Sequence, residues 1–161
     1  MKKVAVAVFA CLWMVAQPVN AGSREEALAA YDKFFAAFTT DNQDEITKFF
    51  APDAQFFGTN STDVVTTLEG IHKYFSGALT GTRGATKATQ FDRTALALSD
   101  NIVEIAGKWQ SERTQEGKMV TAGPSRNTVV MQKRGDQWLI VQFHNSPTPK
   151  PPGVAPATSS K

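Results

Sequence analysis

The sequence predicts an α+β domain, helices first and an antiparallel meander afterwards. Three observations carry that expectation. Apolar side chains recur at helical spacing near the start, at Leu28, Tyr31, Phe35 and Phe38, with Phe34 widening the face. Beyond Gly84 the chain turns to long runs rich in Val, Ile, Thr and Trp. Short turn-forming clusters separate those runs, and helices followed by hairpin-linked strands place the helices on one face of a sheet.

The beginning of the chain is set apart from the fold. Met1-Lys2-Lys3 is basic, Val4 to Ala16 is apolar, and Val19-Asn20-Ala21 is a small-x-small cleavage site. An apolar run of roughly 13 residues falls short of the about 20 that a bilayer span needs. Residues 1–21 are therefore expected to be a signal peptide, with the product exported to the periplasm or secreted. The 17 basic residues include Lys2 and Lys3, so cleavage leaves 15 to balance the 15 acidic ones. A balanced domain has no basic stripe for nucleic acid or for an anionic membrane surface. Cleavage also removes Cys11, the only cysteine, so the product can form no internal disulfide and must rely on a core.

Ser23 and Glu26 form a capping box that predicts a helix start, and the helix should run to about Thr40. A short second helix is expected from Asn42 to Phe50, ended by Ala51-Pro52. Ala54 to Gly58 reads as a short strand. Ile71, Phe75 and Leu79 make Leu68 to Leu79 a third helix. Four strands follow, at Thr86–Leu98, Ile102–Thr114, Met119–Lys133 and Gln137–His144, with a stop at the polar His144-Asn145-Ser146 cluster. From Pro147 onward the Pro- and Ser-rich composition predicts disorder, which sets the domain at 22–149 and the tail at 150–161.

Four pieces stand out in order along the chain: Tyr31 to Phe38, Phe50 to Ala54, Phe57-Gly58-Thr59 with Glu69-Gly70-Ile71 and Tyr74-Phe75, and Trp138 to Pro149. Together they resemble the nuclear transport factor 2-like superfamily. The chain is most similar to the SnoaL-like branch and to the association (hub) domain of calcium/calmodulin-dependent protein kinase II. The resemblance implies a curved antiparallel sheet wrapped around the N-terminal helices as a cone with a pocket. It also implies a homodimer joined through the sheet. The superfamily hosts isomerases, dehydratases, cyclases and hub domains, so fold alone leaves function open. The acid–base positions of the ketosteroid isomerase relatives fall on Phe34 and Gly58, neither able to move a proton. The pocket arginines of the hub family fall near Trp109, Val129 and Asn145, which carry no charge. The expected cavity is thus aromatic and amide-lined rather than ionic.

Within that frame, Tyr31, Phe35, Trp109, Arg126, Asn127 and Asn145 are the candidate ligand-binding residues. Tyr31 and Phe35 equally fit plain core packing. Strand alternation places Arg126 and Asn127 on opposite faces without saying which looks inward. His144 is the candidate catalytic residue, because an imidazole titrates near neutrality. It equally fits a histidine that bonds the backbone where a strand ends. His72 reads as solvated surface. Two distant histidines and no cysteine after cleavage predict no metal site. No phosphate loop or nucleophile elbow is present, and no cofactor is expected. The function expected is binding of a small, largely apolar molecule. The alternatives are a non-catalytic association module, or an isomerase, dehydratase or cyclase working through His144.

Overall fold

Residues 21–149 are described in a computed structural model. Residues 1–20 of the expected leader, with its apolar run, and the tail beyond Pro149 lie outside the described residues. The first helix, α1 (Ala21–Ala37), tightens into a 3-10 turn at Phe38–Thr40. Asp41 then ends it in the left-handed region, at φ 51°. Ala27, Tyr31, Phe34, Phe35 and Phe38 form its buried face, while Leu28 is only half-buried. The anticipated capping box does not form. Ser23 lies inside α1 and donates its hydroxyl to the Asp100 carbonyl at 2.7 Å. The Glu26 carboxylate accepts from Trp138 Nε1 at 3.0 Å and Lys133 Nζ at 2.7 Å. Partners on the sheet have replaced the local ones.

Asn42 caps α2 (Gln43–Thr47), its side chain accepting the Asp44 amide at 2.8 Å. This helix ends earlier than the sequence predicts, because Phe50 already belongs to β1 (Phe50–Phe57). Pro52 does not interrupt that strand. It sits on an edge strand, within a register shift between Phe50 and Gln55, where no ladder amide is required of it. Thr67 caps α3 (Leu68–Ala78) through its hydroxyl, which accepts the Gly70 amide at 3.1 Å. Ile71 and Phe75 are the buried pair of α3.

Four antiparallel strands follow, as the hairpin signals predict: β2 (Thr86–Ser99), β3 (Ile102–Gln115), β4 (Lys118–Arg134) and β5 (Gln137–Pro147). The sheet order is β1-β5-β4-β3-β2, and β1 joins β5 in parallel, a pairing the meander pattern did not reveal. The β3–β4 turn has Glu116 and Gly117 both at positive φ, the backbone that a two-residue hairpin demands. Val103, Ile105, Val129, Met131, Ile140 and Phe143 point inward onto α1 and bury the core. The final strand does not stop at His144: Asn145, Ser146 and Pro147 pair with Asn127, Arg126 and Ser125. The Thr148 amide then reaches the Pro124 carbonyl at 2.9 Å, so Pro147, where disorder is expected to begin, still belongs to the sheet.

Candidate functional site

The inner face of the sheet is not wholly filled by α1. Beyond the 3-10 turn, α3 and the far ends of β3, β4 and β5 enclose a cavity of about 530 Å³. Its aromatic wall comes from Phe38, Phe56, Tyr74, Phe75, Trp109 and Phe143. The rings brace one another: Trp109 meets Phe35 edge-on at 5.3 Å between centroids, and Phe38 meets Phe75 edge-on at 5.9 Å. One rim is a break in the ladder. The β3–β4 register shifts between Trp109 and Ser111, leaving Gly123 and Pro124 out of the pairing and beside the opening.

Of the candidate ligand-binding residues, Trp109 and Asn145 line this cavity. Trp109 Nε1 donates to Asn145 Oδ1 at 2.8 Å, and Asn145 Nδ2 makes a short hydrogen bond to Thr59 Oγ1. Both ends of the amide are thus engaged by protein. Tyr31, Phe35 and Asn127 lie behind the wall, in the core. The Tyr31 hydroxyl is 3.0 Å from Asn127 Oδ1 and 2.9 Å from Nδ2. Burial pushes the Tyr31 phenol from its ordinary 10.0 up to about 12, against smaller lowering by the Asn127 hydrogen bond and the Arg93 charge.

Arg126 and His144 are on the opposite, outer face. Because β5 continues, alternation sends Phe143 and Asn145 inward and His144 outward. His144 stands opposite Thr128, with its ring 5.9 Å from Phe57. Arg126 donates from Nε to Ser146 Oγ at 3.2 Å. Both line a shallow outer depression of about 570 Å³, together with Lys108 and Asp92, which pair at 3.4 Å. The sequence-predicted residues therefore divide into a cavity pair, a core trio and an outer pair. His72 is on the surface, 2.7 Å from Asp44 Oδ1.

The cavity is not free of charge, which corrects the expectation of a wall without ions. Arg113, on β3 two steps along the same face from Ser111 and four from Trp109, lines it as the one charged side chain among the described residues that do. Strand alternation counted from Trp109 finds it, since Arg113 lies four residues along the same face. Gly58 leaves room for the Tyr74 ring, which any side chain at that position would have to displace. A Cβ there would lie 2.2 Å from the Tyr74 ring. Among the described residues, no three His, Cys, Asp or Glu side chains come together to hold a metal ion. No helix among them is long and apolar enough to cross a membrane.

A family model described as SnoaL-like domain matches residues 27–150. Among solved structures, a putative calcium/calmodulin-dependent protein kinase II association domain from Xanthomonas campestris is 31% identical, with a TM-score of 0.70 over 78% of this chain and 87% of that one. A putative dehydratase of the NTF2-like family from Streptomyces avermitilis is 12% identical, at a TM-score of 0.68 over 79% of this chain and 97% of its own. An NTF2-like protein with a cystatin-like fold from Novosphingobium aromaticivorans is 12% identical, at 0.63 over 78% and 81%. The latter two speak for the shared fold alone. No curated protein matches the chain.

Proposed function

We propose that this chain, which belongs to the SnoaL-like domain family, is an exported protein that binds a small, largely apolar molecule in the cavity between α3 and the sheet. The observation that carries this reading is the aromatic enclosure itself. About 530 Å³ bounded by Phe38, Phe75, Trp109 and Phe143 is a volume in the range of small-molecule sites. The Trp109–Asn145–Thr59 chain braces the wall with its polar atoms paired to one another, leaving the aromatic faces to the ligand on that side. Export is supported by the basic start and apolar run within residues 1–21.

Titration with the neutral dye Nile red tests the cavity. Saturable brightening at one dye per chain is expected. Ser125→Trp, which puts an indole into the cavity from its wall, should abolish it while the circular dichroism spectrum stays unchanged. Absence of saturable binding by the wild-type protein would sink the reading.

A second reading, an association module pairing as a homodimer, has its own observation. The outer sheet face leaves Phe91, Leu96 and Leu98 at 51%, 61% and 53% exposure. The Xanthomonas relative's description as an association domain supports it. An isomerase, dehydratase or cyclase reaction through His144 is the weaker reading, because the imidazole and the cavity occupy opposite faces of the sheet.

A further inference from the structure

We infer that the cavity carries an anion subsite built by Arg113 and Thr86, and that its ligand is an apolar molecule bearing a carboxylate. The inference rests on the cavity reading above and specifies its ligand. Arg113 and Thr86 face each other across the β2–β3 ladder, and both line the cavity. Thr86 is 2% exposed, and its hydroxyl has no partner among the described residues. Arg113 Nε is likewise buried and without a partner among them.

Arg113 Nη1 donates at 2.6 Å to the Ala78 carbonyl, at the C-terminal end of α3. That bond fixes the guanidinium plane against a helix end that favours positive charge. It also leaves the opposite edge, with Nε and Nη2, for another group. This edge presents two parallel N–H bonds at the spacing of two carboxylate oxygens.

The electrostatics point the same way. A guanidinium cannot shed its proton when buried. An unpaired charge in a half-buried apolar setting is costly. Neither Asp nor Glu is among the described residues lining the cavity, so none of these residues supplies a counter-charge. A carboxylate on the ligand would supply it, with the Thr86 hydroxyl donating a further bond. The aromatic wall then takes the body of the molecule, since Trp109 and Phe38 border the same space.

Calorimetric titration of the purified protein with cinnamate and with its neutral isostere cinnamamide tests this. Cinnamate should bind about tenfold more tightly or better, the scale of one charge-assisted pair. Arg113→Met should bring the two ligands to parity, Arg113→Lys should keep part of the preference, and Thr86→Val should weaken cinnamate alone. Should the methionine variant fail to fold, the wild-type comparison still decides, since it needs no substitution. Equal binding of the two ligands, with Nile red displaced, would overturn the anion subsite and leave the cavity standing. Failure of both ligands to bind, with Nile red also failing, would overturn the two readings together. Inorganic phosphate binding more tightly than cinnamate would overturn the carboxylate class in favour of a bare anion.

Discussion

At the scale of single residues, the Tyr31–Asn127 pair is the most consequential contact in the core. Tyr31→Phe leaves a buried amide without its partner and should lower stability by about 1–3 kcal/mol in a urea titration. A pH series gives the same pair a second signature. The folded phenol ionises near 12 while the unfolded one ionises near its ordinary 10.0. Both states hold the proton below that lower value, so the full stability is present there. As pH rises between the two values the unfolded chain loses its proton first, and stability falls by about 2–3 kcal/mol. The phenylalanine variant should lack that fall, and a variant that keeps it would refute the assignment. Part of this site is legible residue by residue: Trp109 and Asn145, candidates for ligand contact in the sequence, both border the cavity. Arg126 and Asn127 were not resolved, because alternation gives two faces and only the Tyr31 hydroxyl says which face is inward. His144 was misplaced, since a polar His-Asn-Ser-Pro cluster looks like a strand end yet pairs in register to Pro147.

Between elements, β1 and α3 meet through a residue with no side chain. Gly58 follows β1, and the Tyr74 ring of α3 fills the space a Cβ would need while packing edge-on against Phe56 at 4.8 Å. Gly58→Ala should therefore cost about 1–3 kcal/mol, as overpacking does. In a Tyr74→Leu background the same change should cost under about 1 kcal/mol, because the two sites couple through that contact. Equal costs in both backgrounds, measured by urea denaturation, would contradict the packing described. The four meander strands and α3 were readable from periodicity. The start of α1 and the reach of β1 were not. Ser23 and Glu26 carried a correct local motif that partners on Asp100, Lys133 and Trp138 outbid, and Pro52 marked a break that an edge position tolerates.

For the molecule as a whole, the outer face decides between monomer and assembly. Phe57, Phe91, Leu96 and Leu98 lie exposed on a sheet that also presents Lys108, Arg126 and His144. Apolar area of that kind, rimmed by charge, is what a self-complementary pair of sheets buries. Light scattering after size exclusion should give a dimer mass for the wild type. Leu96→Glu combined with Leu98→Glu should halve that mass while leaving Nile red binding intact. A wild type that is monomeric at micromolar concentration would remove the association reading and leave the cavity untouched.

The parallel pairing of β1 with β5 also sets an order in time. Phe50 pairs with Ile140, so apart from the Phe56–Val65 bridge the first strand has no pairing until nearly all of the domain has been made. The Phe-bearing face of α1 waits for the same event, since Phe34 packs on Phe143. Such long-range closure makes folding late and slow relative to synthesis. Until that last strand arrives, the Phe-bearing face of α1 is apolar surface that the growing chain must keep from aggregating.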